Sequence, residues 1–174
     1  MHMKNKHFFL LFFITLALTG VQCKKESELD KLPPPTTNGA QTLGCLINGD
    51  AFILSPKKPT AYYATYNNGK IEIQAYNQAP SGGNLIILTR GVITKPGHYI
   101  IPFKDGNVHS FGFLSNGESF KSSYTPDGFA YIKITRLDSI RHYMAGEFSF
   151  TLYNRYLSKS VKVTNGRFDF KYAP

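Results

Sequence analysis

From Leu43 to the C-terminus, apolar residues recur at every second position, and that period commits the chain to sheet. Ile71, Ile73 and Ala75 alternate with Glu72 and Gln74, and Ala130, Ile132 and Ile134 with Tyr131, Lys133 and Thr135. Phe148, Phe150 and Leu152 alternate with Ser149 and Thr151, Val161 and Val163 flank Lys162, and Phe168, Phe170 and Tyr172 alternate with Asp169 and Lys171. Successive strand side chains point to opposite faces, so each run sets one face on a core and the other on water. By this rule Asp169 faces water. Leu85-Ile-Ile-Leu88 is apolar on both faces and reads as a central strand.

The turn chemistry agrees. Asn-Gly occurs at 48–49, 68–69, 116–117 and 165–166, and Asp-Gly at 105–106 and 127–128. These dipeptides accept the positive φ angles of a tight hairpin turn, so each is expected to join two strands. No helical period is sustained beyond the first 22 residues. The expected fold is all-β: a single antiparallel β-sandwich or partly closed β-barrel, built from hairpins over residues 43–174, with roughly nine or ten short strands. Gly146-Glu-Phe-Ser-Phe150 and Gly166-Arg-Phe-Asp-Phe170 use one strand motif twice, which is too little for a repeat architecture.

The N-terminus speaks of address. A basic stretch, Met1–His7, precedes the apolar run Phe8–Leu18 and then Thr19-Gly20-Val21-Gln22-Cys23. A basic region, an apolar region and a zone of smaller residues form the plan of a secretory signal. The apolar run is well short of the ~20 residues that a spanning helix needs, and Lys24, Lys25 and Glu26 follow Cys23 at once. Leu18–Cys23 resembles a lipobox, in which the signal is removed just before a cysteine that carries diacylglycerol. Gln22 departs from the Gly, Ala or Ser usual there. The expected organisation is a cleaved lipoprotein signal peptide at 1–22, a lipid on Cys23, a disordered tether over 23–42 and the β domain. Lys, Glu, a triple proline at 33–35 and small polar residues bury too little area to repay ordering, hence the tether. Its Lys25-Glu26-Ser27-Glu28 resembles the Lys-plus-acid signal that sends some lipoproteins to the cell surface.

Removing residues 1–22 leaves 152 residues and takes Lys4 and Lys6 but no acid, so the formal charge falls from +9 to +7. The cations are scattered, with Lys-Lys pairs only at 24–25 and 57–58, and an exported protein rarely meets nucleic acid; a solvated basic surface is the simpler reading. Lipidation consumes Cys23 and leaves Cys45 unpaired in an apolar run, Leu43–Ile47, where a buried, inert thiol is expected.

Gly44-Cys-Leu-Ile-Asn-Gly49, Thr135-Arg-Leu-Asp138, Gly146-Glu-Phe-Ser-Phe-Thr151 and Val161–Asp169 together resemble a family of Bacteroidetes outer-membrane lipoproteins of unknown function, over nearly all of residues 42–172. The resemblance implies an all-β domain held at the outer membrane, on its periplasmic side or at the cell surface. It implies no catalytic residues.

Signatures of chemistry are sparse. His98, His109 and His142 lie far apart, without the paired spacing of metal sites, and are expected to be partly exposed strand residues. Ser81-Gly82-Gly83 has no helix after it to cradle a phosphate. No catalytic residue, metal ligand or cofactor is assigned. Aromatics give the one hint of a ligand: Tyr62, Tyr63 and Tyr66 cluster, as do Tyr153 and Tyr156. Exposed tyrosines stack on sugars and line protein-binding surfaces, although tyrosine is also a favoured strand residue. The expected role is a non-enzymatic binding or structural module of the cell envelope, contacting the membrane through Cys23 and a glycan or another envelope protein through its domain. A lipocalin-like carrier of a small apolar ligand and a small lipid-anchored hydrolase stay open as alternatives.

Overall fold

A computed structural model describes residues 26–54, 62–77, 83–104 and 109–173. The expected signal peptide, Cys23, the Lys57-Lys58 pair, the Asp105-Gly106 dipeptide expected as a turn, and most of Ser81-Gly82-Gly83 lie outside them. Among the described residues there are eleven strands: β1 (Thr42–Ile47), β2 (Asp50–Ile53), β3 (Tyr62–Asn67), β4 (Lys70–Tyr76), β5 (Asn84–Thr89), β6 (Gly97–Pro102), β7 (Ser110–Ser115), β8 (Glu118–Lys121), β9 (Phe129–Asp138), β10 (Tyr143–Asn154) and β11 (Lys159–Lys171). They form two antiparallel sheets, ordered β2-β1-β11-β10-β9-β6 and β3-β4-β5-β7-β8. The sheets pack face to face as a sandwich with no closed barrel. As its composition predicts, Leu85–Leu88 lies in the middle strand of the smaller sheet.

Phenylalanines fill the space between the sheets. Phe111 of the smaller sheet meets Phe150 of the larger with ring centroids 5.3 Å apart, and Phe52 meets Phe113 edge-on at 6.1 Å. Cys45 sits among them, fully buried and free, and burial pushes its thiol far above the ordinary range. A thiol reagent is therefore expected to label Cys45 slowly in native buffer and quickly in denaturant. Equal rates in the two buffers would contradict this packing.

Three of the Asn-Gly pairs behave as their chemistry dictates. Asn48-Gly49, Asn68-Gly69 and Asn116-Gly117 hold positive φ at both residues and close the β1–β2, β3–β4 and β7–β8 hairpins. Asn165-Gly166, expected as a turn, lies inside β11 instead. Asn165 keeps a φ of 53° at an irregularity in the pairing, where an extra residue is absorbed as a bulge. Packing explains why the chain does not turn there. Gly166 pairs with Phe148, and a Cβ on Gly166 would fall 2.5 Å from the Phe148 ring. Gly146 in turn pairs with Phe168, whose ring would stand 2.9 Å from its added Cβ. The twice-used Gly-x-Phe-x-Phe motif is thus a reciprocal fit between neighbouring strands, each glycine making room for the other's phenylalanine. Asp127-Gly128 precedes β9 after a short 3₁₀ turn, Ser122–Tyr124, rather than closing a two-residue hairpin.

The largest departure from expectation is the segment before β1. Of residues 23–42, expected to be disordered, 26–41 are described, and they run as a strap along the outer face of the six-stranded sheet. Leu32 is buried, and Pro33 stands so close over Gly44 that a Cβ there would come within 2.5 Å of its Cδ. Asp169 explains the docking. Alternation does put it on the outer face, but it is 1 % exposed rather than in water. Its carboxylate accepts hydrogen bonds from the backbone N–H groups of Asn38 (3.0 Å), Gly39 (2.8 Å) and Ala40 (3.1 Å). Nearby, Arg136 donates to the Thr37 carbonyl and to Asp138, both at 2.8 Å. The Arg141 N–H and the Arg136 guanidinium hold the Asp138 carboxyl below its usual range. At its other end the strap is pinned where the Ala51 N–H donates to the Glu28 carboxylate (3.0 Å). Composition argued against a core in residues 26–41; it could not show that a core already built elsewhere would receive them.

Candidate functional site

The strap creates a groove. Between its Leu29, Leu32, Pro34 and Pro35 and the outer faces of β6, β9, β10 and β11 lies a cavity of about 1050 Å³. Register sets its floor. Arg167, Glu147, Lys133 and His98 pair in turn across β11, β10, β9 and β6, so their side chains share one face in one row. Lys133 and Glu147 form an exposed ion pair at 3.3 Å. The next outward row is Ser149, Tyr131 and Ile100. Two residues before Tyr131, and just beyond the groove's own lining, Phe129 extends the apolar face, its ring edge-on to Tyr131 at 4.9 Å. Ile100 is 67 % exposed, Tyr131 50 % and Phe129 45 %. Large apolar side chains turned to solvent on a sheet face cost solvation and call for a partner.

The tyrosines expected to contact a ligand divide. Tyr62 stacks on Phe170 at 5.0 Å and Tyr66 meets Tyr172 edge-on at 5.5 Å, so both rings serve the core. Tyr63 is exposed on β3, in the other sheet. Tyr153 is on the outer face of β10, and Tyr156 stands 70 % exposed in the β10–β11 turn. The structure therefore does not gather these five into one site. Sequence reasoning passed over Tyr131, Phe129 and Ile100. The signal was available, because Tyr131 occupies a polar position in the Ala130–Thr135 alternation, where an aromatic ring is out of place.

The histidines are dispersed. His98 is exposed on β6, at the edge of the larger sheet. His109 is buried before β7 rather than partly exposed, and its Nδ1 accepts the Arg90 N–H at 3.2 Å. His142 is in the β9–β10 turn with a φ of 59°, edge-on to Tyr172. Among the described residues, no three His, Cys, Asp or Glu side chains converge as a metal-binding set.

A family model described as "Domain of unknown function (DUF6252)" matches residues 57–170. No curated protein and no solved structure matches the chain.

Proposed function

This chain belongs to the DUF6252 family, a domain of unknown function, and from its site we propose a lipid-anchored cell-envelope protein that binds a saccharide chain along the outer face of its larger sheet. One observation carries the reading: the solvent-facing Ile100–Tyr131–Phe129 platform beside a row of alternating charge on the floor of an open groove. A sheet face offers no free backbone amides, since the ladder consumes them, so recognition there falls to side chains. An extended peptide gains its affinity at a sheet edge, by adding a strand. A sugar ring, in contrast, has an apolar C–H face that fits an aromatic surface and a rim of hydroxyls that both donate and accept. Arg167, Lys133 and Glu147 supply partners of both kinds. The groove reaches the upper end of the usual range for small-ligand pockets, which suits several sugar units over one. A net charge of +7 after signal removal favours an anionic glycan by long-range attraction.

The lipoprotein part of the reading is supported by the lipobox-like Leu18–Cys23, and the outer-membrane address by the resemblance to lipoproteins of that membrane. The hydrolase alternative draws nothing from histidines on three separate elements, and the carrier alternative draws nothing from a phenylalanine-filled interior. Titration against a panel of neutral and anionic envelope glycans is expected to find a binder. Tyr131→Ala is then expected to weaken it about tenfold, the value of one aromatic contact of about 1.4 kcal/mol, with an unchanged circular dichroism spectrum. Binding that is indifferent to Tyr131→Ala, or no binder in the panel, would remove the groove from consideration.

A further inference from the structure

At one end of the sandwich, the β10–β11 turn carries a small surface of its own. Asn154, buried at the turn's base, donates from Nδ2 to the Ser119 carbonyl (2.7 Å) and accepts from the Tyr156 and Leu157 N–H groups (2.9 and 3.1 Å). The turn is thereby held in a fixed shape, with Tyr156 70 % and Leu157 42 % exposed at its tip. Arg155 lies over the Tyr156 and Tyr124 rings at 5.0 and 5.5 Å, and Lys121 over Tyr124 at 5.9 Å. Lys159 closes the turn, paired with Glu118. Tyrosine favours the boundary between water and hydrocarbon, having an apolar body and a polar tip, and nearby cations are drawn to anionic headgroups.

The place of the chain's N-terminus decides what this surface meets. The strap begins at this same end, where Glu28 lines one cavity with Asp50, Asn116, Glu118 and Lys159. Only four residues separate Glu28 from Cys23, five steps of chain that reach at most about 18 Å when fully extended. The opposite end of the domain lies a full strand away: the twelve residues of β10 span about 40 Å. There the β9–β10 turn displays Ile140, 90 % exposed. So short a lead cannot bring that end to a bilayer while the strap stays docked.

We infer that the β10–β11 turn rests on the membrane that holds the lipid, with Tyr156 and Leu157 in its headgroup layer and Arg155 and Lys121 facing anionic lipid. The inference rests on the lipid anchor proposed above. The chain has no tryptophan, so a single introduced one reports its own surroundings. Full-length protein, processed in a lipoprotein-producing host, is placed on vesicles of phosphatidylethanolamine and phosphatidylglycerol with brominated acyl chains. Tyr156→Trp is expected to emit at shorter wavelength on the vesicles than in detergent-free buffer and to be quenched by bromine. Ile140→Trp, at the far end, is expected to show neither change. Quenching of Ile140→Trp alone, or of neither variant on protein that sediments with the vesicles, would overturn the orientation while leaving the anchor intact. Protein that fails to sediment with the vesicles would overturn the anchor and the orientation together.

Discussion

Asp169→Ala is expected to destabilise the domain by about 3 kcal/mol and to lower its melting temperature by about 10 °C. The carboxylate satisfies three backbone N–H groups that the docked strap could not otherwise pair. Hydrogen bonds to a charged acceptor each contribute about 1.5–3 kcal/mol, so three of them set a large gross value. The net loss is smaller because the strap can lift and give these amides to water, which also exposes Leu32 and uncovers Gly44. Two readouts separate this account from general loss of packing. Amide exchange at Asn38, Gly39 and Ala40 should accelerate far more than at β10 or β11, and Asp169→Asn should recover about half of the stability, since its amide keeps one accepting oxygen. A melting temperature within a degree or so of wild type for Asp169→Ala would mean that the strap is not held there.

Cys23→Ala is expected to abolish membrane attachment and leave a soluble or unprocessed protein. The effect should be all or none because the only other contact in the proposal is weak. A tyrosine and a leucine resting in the headgroup layer are worth about 3–4 kcal/mol between them and the two cations about 1 kcal/mol each, an affinity of about 0.1 mM. Two or three acyl chains exceed that by far. Metabolic labelling with a palmitate analogue should tag the wild-type chain and not the variant. Labelling both chains equally would end the lipoprotein reading.

How much of this was legible from residues alone follows the range over which each interaction acts. Alternation is a local signal, and it gave the strands, their inner faces and the central place of Leu85–Leu88. Asn-Gly chemistry is local too, and it succeeded wherever nothing distant competed. It failed at Asn165-Gly166 because the Phe148 ring, seventeen or more residues away in sequence, claims the space over Gly166. Asp169 failed for the same reason: its face was readable, but its cover comes from Asn38–Ala40, 129 to 131 residues away in sequence. The groove inherits both difficulties. Its floor residues sit on four strands and acquire a common row only through register, and its wall is the strap that composition assigned to solution. Tyr131 alone carried a local mark, as a ring at a polar position.

The strap also has a mechanical meaning. It starts at Glu28 beside Ala51, crosses the sheet, and reverses where Gly39 and Gln41 take up positive φ, to enter β1. Tension drawn from the N-terminus out past that end runs along the strap's own line, so it loads the Glu28–Ala51 bond, the seat of Leu32 and Pro33 and the Asp169 amide nest together, in shear. Each freed residue adds up to about 3.5 Å of leash, so residues 28–40 store roughly 45 Å of slack. Under a tether at Cys23 such a strap would act as a clasp: it would hold the domain close until its contacts gave way together, then release that length before the sandwich took the force.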